Sequence, residues 1–206
     1  MEVAYLGHSS FLITAEDGTR LVTDPYTGIG YEMSAVEADH VLCSHFHFDH
    51  GYVQGVRGYT DVISEPGEYR CGGIKVTGYG SFHDDVKGAK RGKNVIFVME
   101  ADGKRICHMG DIGERISDSL AASLKGMDLL MVPIGGVYTI DAKGALELIE
   151  RLQPKATCAM HFKSKDCMLD IAPATVLEKL TDKCERIGSV IPMDVQSGKI
   201  WIPERR

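Results

Sequence analysis

The segment Ser44-His45-Phe46-His47-Phe48-Asp49-His50-Gly51 sets the tightest limit on what this chain can fold into. It places four side chains able to bind a metal within six residues, directly after the apolar run His40 to Ser44, which reads as a buried strand. With 8 histidines among 206 residues, the pattern His-x-His-x-Asp-His arises by chance roughly once in a thousand such chains, so a merely structural role accounts for it poorly. In an extended segment alternate residues project the same way. His45, His47 and Asp49 are then expected to face one pocket and Phe46 and Phe48 the core, with a turn next to Gly51 bringing His50 round. Tyr52-Val53-Gln54 follows as the opening of a short helix.

A catalytic zinc site takes three protein ligands and keeps a position for water, so two neighbouring metals need more ligands than this motif offers. The candidates are His83 in Ser81-Phe82-His83-Asp84-Asp85, Asp111 in His108-Met109-Gly110-Asp111, and His161 in Met160-His161-Phe162. Each ends an apolar, strand-like run, and strand ends on one rim of a layered sheet are where scattered side chains converge. Plainer readings stand beside these: a surface histidine between acids for His83, a turn cap for Asp111, a core histidine for His161. His8 reads either as support beside the site or as a turn residue, and His40 and His108 as structural.

The rest of the chain must bring these segments together. Strand-like runs fill the first half: Val3 to Leu6, Ser10 to Thr14, Leu21 to Thr23, His40 to Ser44, Val62 to Ser64 and Ile74 to Tyr79. Val95 to Glu100 and Arg105 to His108 follow, joined by Ala101-Asp102-Gly103-Lys104, where Asp-Gly signals a hairpin. From Ser117 onward, helix-like segments (Ser117 to Leu124, Asp141 to Leu152, Ala172 to Leu180) alternate with apolar runs (Asp128 to Val132, Ala156 to Met160, Ile187 to Ile191). Stacked sheets with helices outside suit this mixture, as would another layered α/β arrangement. Length, 44% hydrophobic residues and the lack of a linker or fixed repeat predict a single domain over 1–206.

A net charge of −6 weighs against a nucleic-acid-binding surface and favours a small-molecule substrate. The start Met1-Glu2-Val3-Ala4-Tyr5 lacks the basic residues of a secretion signal, and no apolar run approaches the ~18 residues of a membrane helix, so no membrane and a cytoplasmic location are expected. Six cysteines without a C-x-x-C pair read as reduced, mostly buried thiols. Homo-oligomerisation is left open.

His45 to His50, then His83, Gly110-Asp111 and His161, occur in the order and approximate spacing of the metallo-β-lactamase superfamily, and the resemblance spans nearly the whole chain. Gly7-His8-Ser9-Ser10, Thr23-Asp24-Pro25, Gly135-Gly136 and Met160-His161 resemble the branch holding ascorbate-6-phosphate-lactonase-like proteins. The resemblance implies an α/β fold of the four-layer αβ/βα sandwich type. It also implies that His45, His47 and His83 hold one metal, Asp49, His50 and His161 the other, and that Asp111 bridges them. Two divalent ions are expected, Zn²⁺ first and Mn²⁺ or Fe²⁺ as alternatives. A hydroxide bridging them would cleave a small ester, lactone, thioester or phosphodiester, with Asp49 as the catalytic carboxylate steering it. The di-iron redox branch typically carries Glu where His47 stands, which argues against redox chemistry. A sensor or binding protein without turnover is the alternative, discriminated by whether the site keeps an open position.

The cluster Lys87, Lys90, Arg91 and Lys93 lies in a glycine-punctuated loop after His83 that either folds over the metals to hold an anionic group or is simply solvated. Candidate substrate contacts are His8, Arg91, Lys93, Tyr138 and Lys163.

Overall fold

Two sheets face each other across one core in the computed structural model, which describes residues 1–194 and 198–206. The first has five strands in the order Glu2–Gly7, Ser10–Thr14, Arg20–Thr23, His40–Leu42, Asp61–Ile63, antiparallel across the first three and parallel from Arg20–Thr23 onward. The second has eight, in the order Cys184–Ile187, Ile200–Pro203, Ala156–Met160, Leu129–Pro133, Lys104–His108, Lys93–Ala101, Ile74–Phe82, Gly67–Cys71. Its first five strands are parallel and the remainder antiparallel.

The alternation of the first sheet explains how it is layered. Val3, Tyr5, Phe11, Ile13 and Leu21 point inward and join Ile74, Val76, Phe97 and Met99 of the second sheet in a buried cluster running from Val3 to Ile202. Leu6, Val22, Val41 and Cys43 point the other way, under a cover of Val36, Ala38 and Val56. That outer cover is a two-stranded ribbon, Val36–Glu37 with Val56–Arg57, and a 3-10 turn at Val53–Gly55. The three described α-helices lie with the second half of the chain. Helix Ala142–Leu152 packs on Leu129–Pro133, and strands Leu129–Pro133 and Ala156–Met160 are buried at every position, as parallel strands covered on both faces are. Asp141 caps that helix by accepting from the Gly144 amide at 2.8 Å, and Ala142, Ala145, Leu148 and Leu152 form its buried stripe.

Strands Gly67–Cys71 and Ile200–Pro203 and the ribbon Val36–Glu37 with Val56–Arg57 lie where no strand was expected, and two predicted elements are displaced or shortened. The predicted helix Ala172 to Leu180 shrinks to Thr175–Glu178, because the Ala172 amide donates to the Gly135 carbonyl at 2.8 Å and Pro173 bridges Lys163 in parallel fashion, holding this start extended. The predicted strand Ile187 to Ile191 is shifted: the strand is Cys184–Ile187, and the chain then crosses to the first sheet, where the Ile191 amide donates to the Val3 carbonyl at 2.9 Å. The Asp102-Gly103 hairpin forms as expected, with φ of 54° and 69° at its two central residues. All six cysteines are free, five of them buried. Among the described residues no helix is long and apolar enough to cross a membrane.

Candidate metal centre

The expected ligands, with His8 and Asp24 beside them, meet where strands of both sheets end. His8 follows Glu2–Gly7, Asp24 follows Arg20–Thr23, the motif follows His40–Leu42, His83 follows Ile74–Phe82, Asp111 follows Lys104–His108, and His161 follows Ala156–Met160. His8, Asp24 and His161 have φ of 52°, 40° and 50°, and Gly110 has 55°. Left-handed backbone costs a residue with a side chain about 1–2 kcal/mol, and such strain gathers at functional sites. At Gly110 an added Cβ would lie 2.6 Å from Ser44 Cβ and closer still to Asn94 Oδ1, the atom that accepts from the Asp111 amide at 2.9 Å. Gly110→Ala is therefore expected to destabilise the protein by about 3 kcal/mol, read as a lowered midpoint in denaturant at unchanged slope.

The motif itself is not extended. His47 accepts from the amides of His50 at 3.0 Å and Gly51 at 2.8 Å, so the chain curls over residues 47–51. This overturns the expected alternation: Phe46 and Phe48 are 65% and 56% exposed and stand on the rim of the site, because a turn does not keep the two-residue period of a strand.

Three groups can each hold an ion: His45, His47 and His83; His8, Asp49, His50 and His161; and His45, His50 and Asp111, the ligand atoms in each lying within 4.8 Å of one another. Asp111 Oδ2 stands between the first two, 3.2 Å from His83 Nε2, 3.2 Å from His161 Nε2 and 3.1 Å from His50 Nε2. His45 Nε2, His50 Nε2, His161 Nε2 and Asp111 Oδ1 are buried without a hydrogen-bond partner among the described residues. Buried polar atoms are normally paired, and nitrogen and oxygen lone pairs converging in this way fit divalent cations.

The tautomers fit as well. Asp24 Oδ2 accepts from Ser44 Oγ at 2.7 Å, and Ser44 Oγ in turn receives His45 Nδ1 at 3.0 Å; the same carboxylate oxygen receives His50 Nδ1 at 2.8 Å. With both Nδ1 atoms donating, each Nε2 lone pair is turned toward the cluster. Burial, reinforced by His50, holds His45 down to about 3, so it is neutral at pH 7. Burial also acts to lower His50, but the carboxylates of Asp111, Asp24 and Asp49 outweigh it and raise this imidazole well above its ordinary value. The converse holds for Asp111, where burial is outweighed by His161 and His50 and the carboxyl stays ionised. A metal at His50 would thus displace a proton.

The substrate candidates separate. Arg91 and Tyr138 line a cleft of 540 Å³ together with Phe46, Phe48, His47, Asp49, His83, Asp111 and Leu169. Lys93 lines a neighbouring cleft of 480 Å³ on the far side of Phe46, and Lys163 lines neither. His8 is fully buried and lines neither cleft, and its Nε2 lies 3.2 Å from Asp49 Oδ2. Burial, with His161 second, lowers His8 to about 4, leaving a neutral donor. His108 donates Nε2–H to the Ser9 carbonyl at 2.8 Å and accepts the Gly110 amide at Nδ1, and His40 pairs with Asp61, so neither joins the cluster. Sequence reasoning gave Asp24 and Ser44 no role of their own; the one signal was an acid ending a strand before proline. It also misplaced Phe46 and Phe48.

A family model described as the beta-lactamase superfamily domain matches residues 2–161, a span that contains every candidate ligand. The chain belongs to the metallo-β-lactamase superfamily. A UPF0173 metal-dependent hydrolase of Methanoregula boonei is 30% identical, covering 88% of this chain and 92% of that one. A second, from Thermus thermophilus, is 31% identical over 80% and 84% of the two chains. The solved structure of a Thermotoga maritima protein, assigned as a Zn-dependent hydrolase of this superfamily, is 32% identical, covers 100% of this chain and 99% of its own, and superimposes with a TM-score of 0.81. The protein is a metal-dependent hydrolase of the superfamily with its α/β sandwich fold, and a divalent metal is implied by that membership.

Proposed function

We propose that the chain holds two divalent ions, zinc in preference to manganese or iron, and hydrolyses a small ester, lactone, thioester or phosphodiester bearing an anionic group. The observation that carries this reading is the position of Asp111 Oδ2, within 3.2 Å of Nε2 atoms from both ligand sets. His45, His47 and His83 would hold one ion, Asp49, His50 and His161 the other, with Asp111 shared. Zinc is favoured by the histidine-rich set, in keeping with the naming of the Thermotoga protein as a Zn-dependent hydrolase. Bound there, the ions would acidify a shared water toward a pKa of about 7 and polarise the carbonyl or phosphoryl oxygen under attack.

The chain's own groups supply the rest. Asp49 faces the cleft with its carboxylate braced by His8, placed to receive or steer a proton of the attacking water. Phe46 and Phe48 form an apolar rim that excludes water from the far side of a bound substrate. Two ions bring about +4 against the two carboxylates Asp49 and Asp111, so the floor attracts anions, and Arg91 adds a further cation at the wall. The open cleft favours turnover over a closed sensory site.

Elemental analysis of purified protein, with hydrolysis of a panel of ester, lactone, thioester and phosphodiester substrates, tests this directly. We expect two zinc ions per chain and turnover of at least one class, both diminished in His47→Ala; a metal-free chain, or full loading with no turnover across the panel, sinks the reading. Chelation has its own signature. Zinc at a thousandfold excess over its Kd adds about 4 kcal/mol to folding, so its removal should lower Tm on the order of 10 °C for a chain of this size. An unchanged melting curve would show that the orphaned ligands bind nothing.

A further inference from the structure

Asp84 follows His83 in the chain and is itself only 2% exposed, yet it belongs to none of the candidate ligand groups. Its carboxylate is spent on the backbone of the loop that follows. Oδ1 accepts the amides of Val86 at 2.9 Å and Gly88 at 2.8 Å, and Oδ2 those of Lys90 at 2.9 Å and Arg91 at 2.7 Å. Converging amides of this kind form a nest for an anion, here filled by the loop's own residue. The curl that aims them needs φ of 57° at Lys87 and 78° at Gly88, where a Cβ would lie 2.8 Å from the Gly92 carbonyl oxygen. The Gly92 amide donates to the Gly88 carbonyl at 2.9 Å and its carbonyl accepts from His83 at 3.1 Å, closing the ring.

The loop is therefore a built ring, and one of its cations is delivered to the metal cleft. The Arg91 amide is held by Asp84, while its guanidinium lies over the Tyr138 ring at 5.6 Å, on the wall shared with His47, Asp49 and His83. Lys90 pairs with Asp85 at 3.6 Å and Lys93 lines the neighbouring cleft.

We propose that Asp84 is a positioning residue, fixing this loop through four amide hydrogen bonds so that Arg91 stands preorganised to bind a carboxylate on the substrate, at a distance from the bond to be cleaved. The inference rests on reading the cleft as the substrate face of the metal centre. An arginine carries much rotamer entropy and binds carboxylates best as a planar two-pronged donor, so anchoring its backbone removes part of the cost of ordering it.

Calorimetric titration of the zinc-loaded protein with glutarate and with butyrate, which lacks the second carboxylate, tests the assignment. The wild type should prefer glutarate by about tenfold, a charge-assisted contact's worth. Arg91→Ala should erase the preference, and Asp84→Asn, which loses half of the acceptor capacity, should largely do so at unchanged zinc content. The double variant should bind as Arg91→Ala does, because the two residues act through one contact. No preference in the wild type, a preference retained in Asp84→Asn, or additive losses in the double variant would overturn the proposal. Should Asp84→Asn not fold, hydrogen exchange in the wild type decides: slow amides at positions 86, 88, 90 and 91 support the ring, and fast ones remove it. Hydrolysis of the ester, lactone, thioester and phosphodiester panel reports separately on the proposed function. Turnover without the glutarate preference would sink the inference alone, whereas the preference without turnover would support it and sink the hydrolytic reading.

Discussion

Asp111→Asn is expected to fold, to bind no more than one zinc ion per chain, and to lose hydrolytic rate on the order of a thousandfold or more. Asparagine preserves the shape and the backbone bond from the Asp111 amide to Asn94 Oδ1. It replaces one of two equivalent oxygens with an amide nitrogen that has no lone pair to offer a cation. Since Asp111 Oδ2 is the atom placed against His83 on one side and His50 and His161 on the other, the two ligand sets lose what joins them. The anion that offsets buried positive charge at the centre is lost with it. Metal stoichiometry and rate should therefore fall together, whereas His47→Ala, which removes one exposed ligand of one set, should spare the second ion. An Asp111→Asn protein with two zinc ions and full turnover would falsify the bridging role.

Asp24→Asn should weaken the metal-free protein by about 3 kcal/mol, lower its Tm on the order of 10 °C, and weaken zinc binding about 10- to 100-fold. The carboxylate has no exposure and accepts three hydrogen bonds at once: from the Ser44 amide at 2.6 Å, the Ser44 hydroxyl at 2.7 Å and His50 Nδ1 at 2.8 Å, and through Ser44 and His50 it braces candidate ligands of both sets. Asparagine tolerates the left-handed backbone at φ 40°, so the variant removes the charge without adding strain. Its pH dependence has a definite sign in the metal-free protein. Burial opposes ionisation of Asp24, but His50 and His108 outweigh it and lower its pKa below 3.8, so its stabilisation is present above pH 3.8 and lost as pH falls. His50, raised above 6.5 by the carboxylates despite burial, contributes fully below 6.5 and less as pH rises toward its folded value. The gap between wild type and Asp24→Asn should thus be widest between pH 3.8 and 6.5. A gap that is flat from acid to alkaline pH would mean that the pair is not ionic.

Much of this centre was legible in the residues, for identifiable reasons. Ligand chemistry is carried by a few side-chain types, and the dense run from His45 to His50, with His83, Asp111 and His161 each at the end of an apolar run, left few other readings. The five strands of the first sheet, five of the eight in the second and the Asp102-Gly103 hairpin were equally readable, because apolar alternation and turn chemistry are local properties, whereas Gly67–Cys71 and Ile200–Pro203 were not expected and Cys184–Ile187 was misplaced. Phe46 and Phe48 were misread since periodicity presumes an extended backbone, and only the hydrogen bonds to the His47 carbonyl show the chain curling there.

Residue types and their order along the chain determined a layered α/β fold and which side chains would be the candidate metal ligands. Tertiary structure alone decided the rest. It put the Asp24 carboxylate, 20 residues before Ser44 and 26 before His50, behind ligands of both sets. It buried His8 beside Asp49, outside the cleft lining, and of the loop's cations it brought Arg91 to the cleft lined by His47, Asp49, His83 and Asp111 while Lys93 went to another cleft. Ligation is a property of a side chain, which a sequence states outright. Which buried carboxylate orients which imidazole, and which of several neighbouring cations meets a cleft, depend on distances set by the packing of strand ends, and no local pattern encodes those.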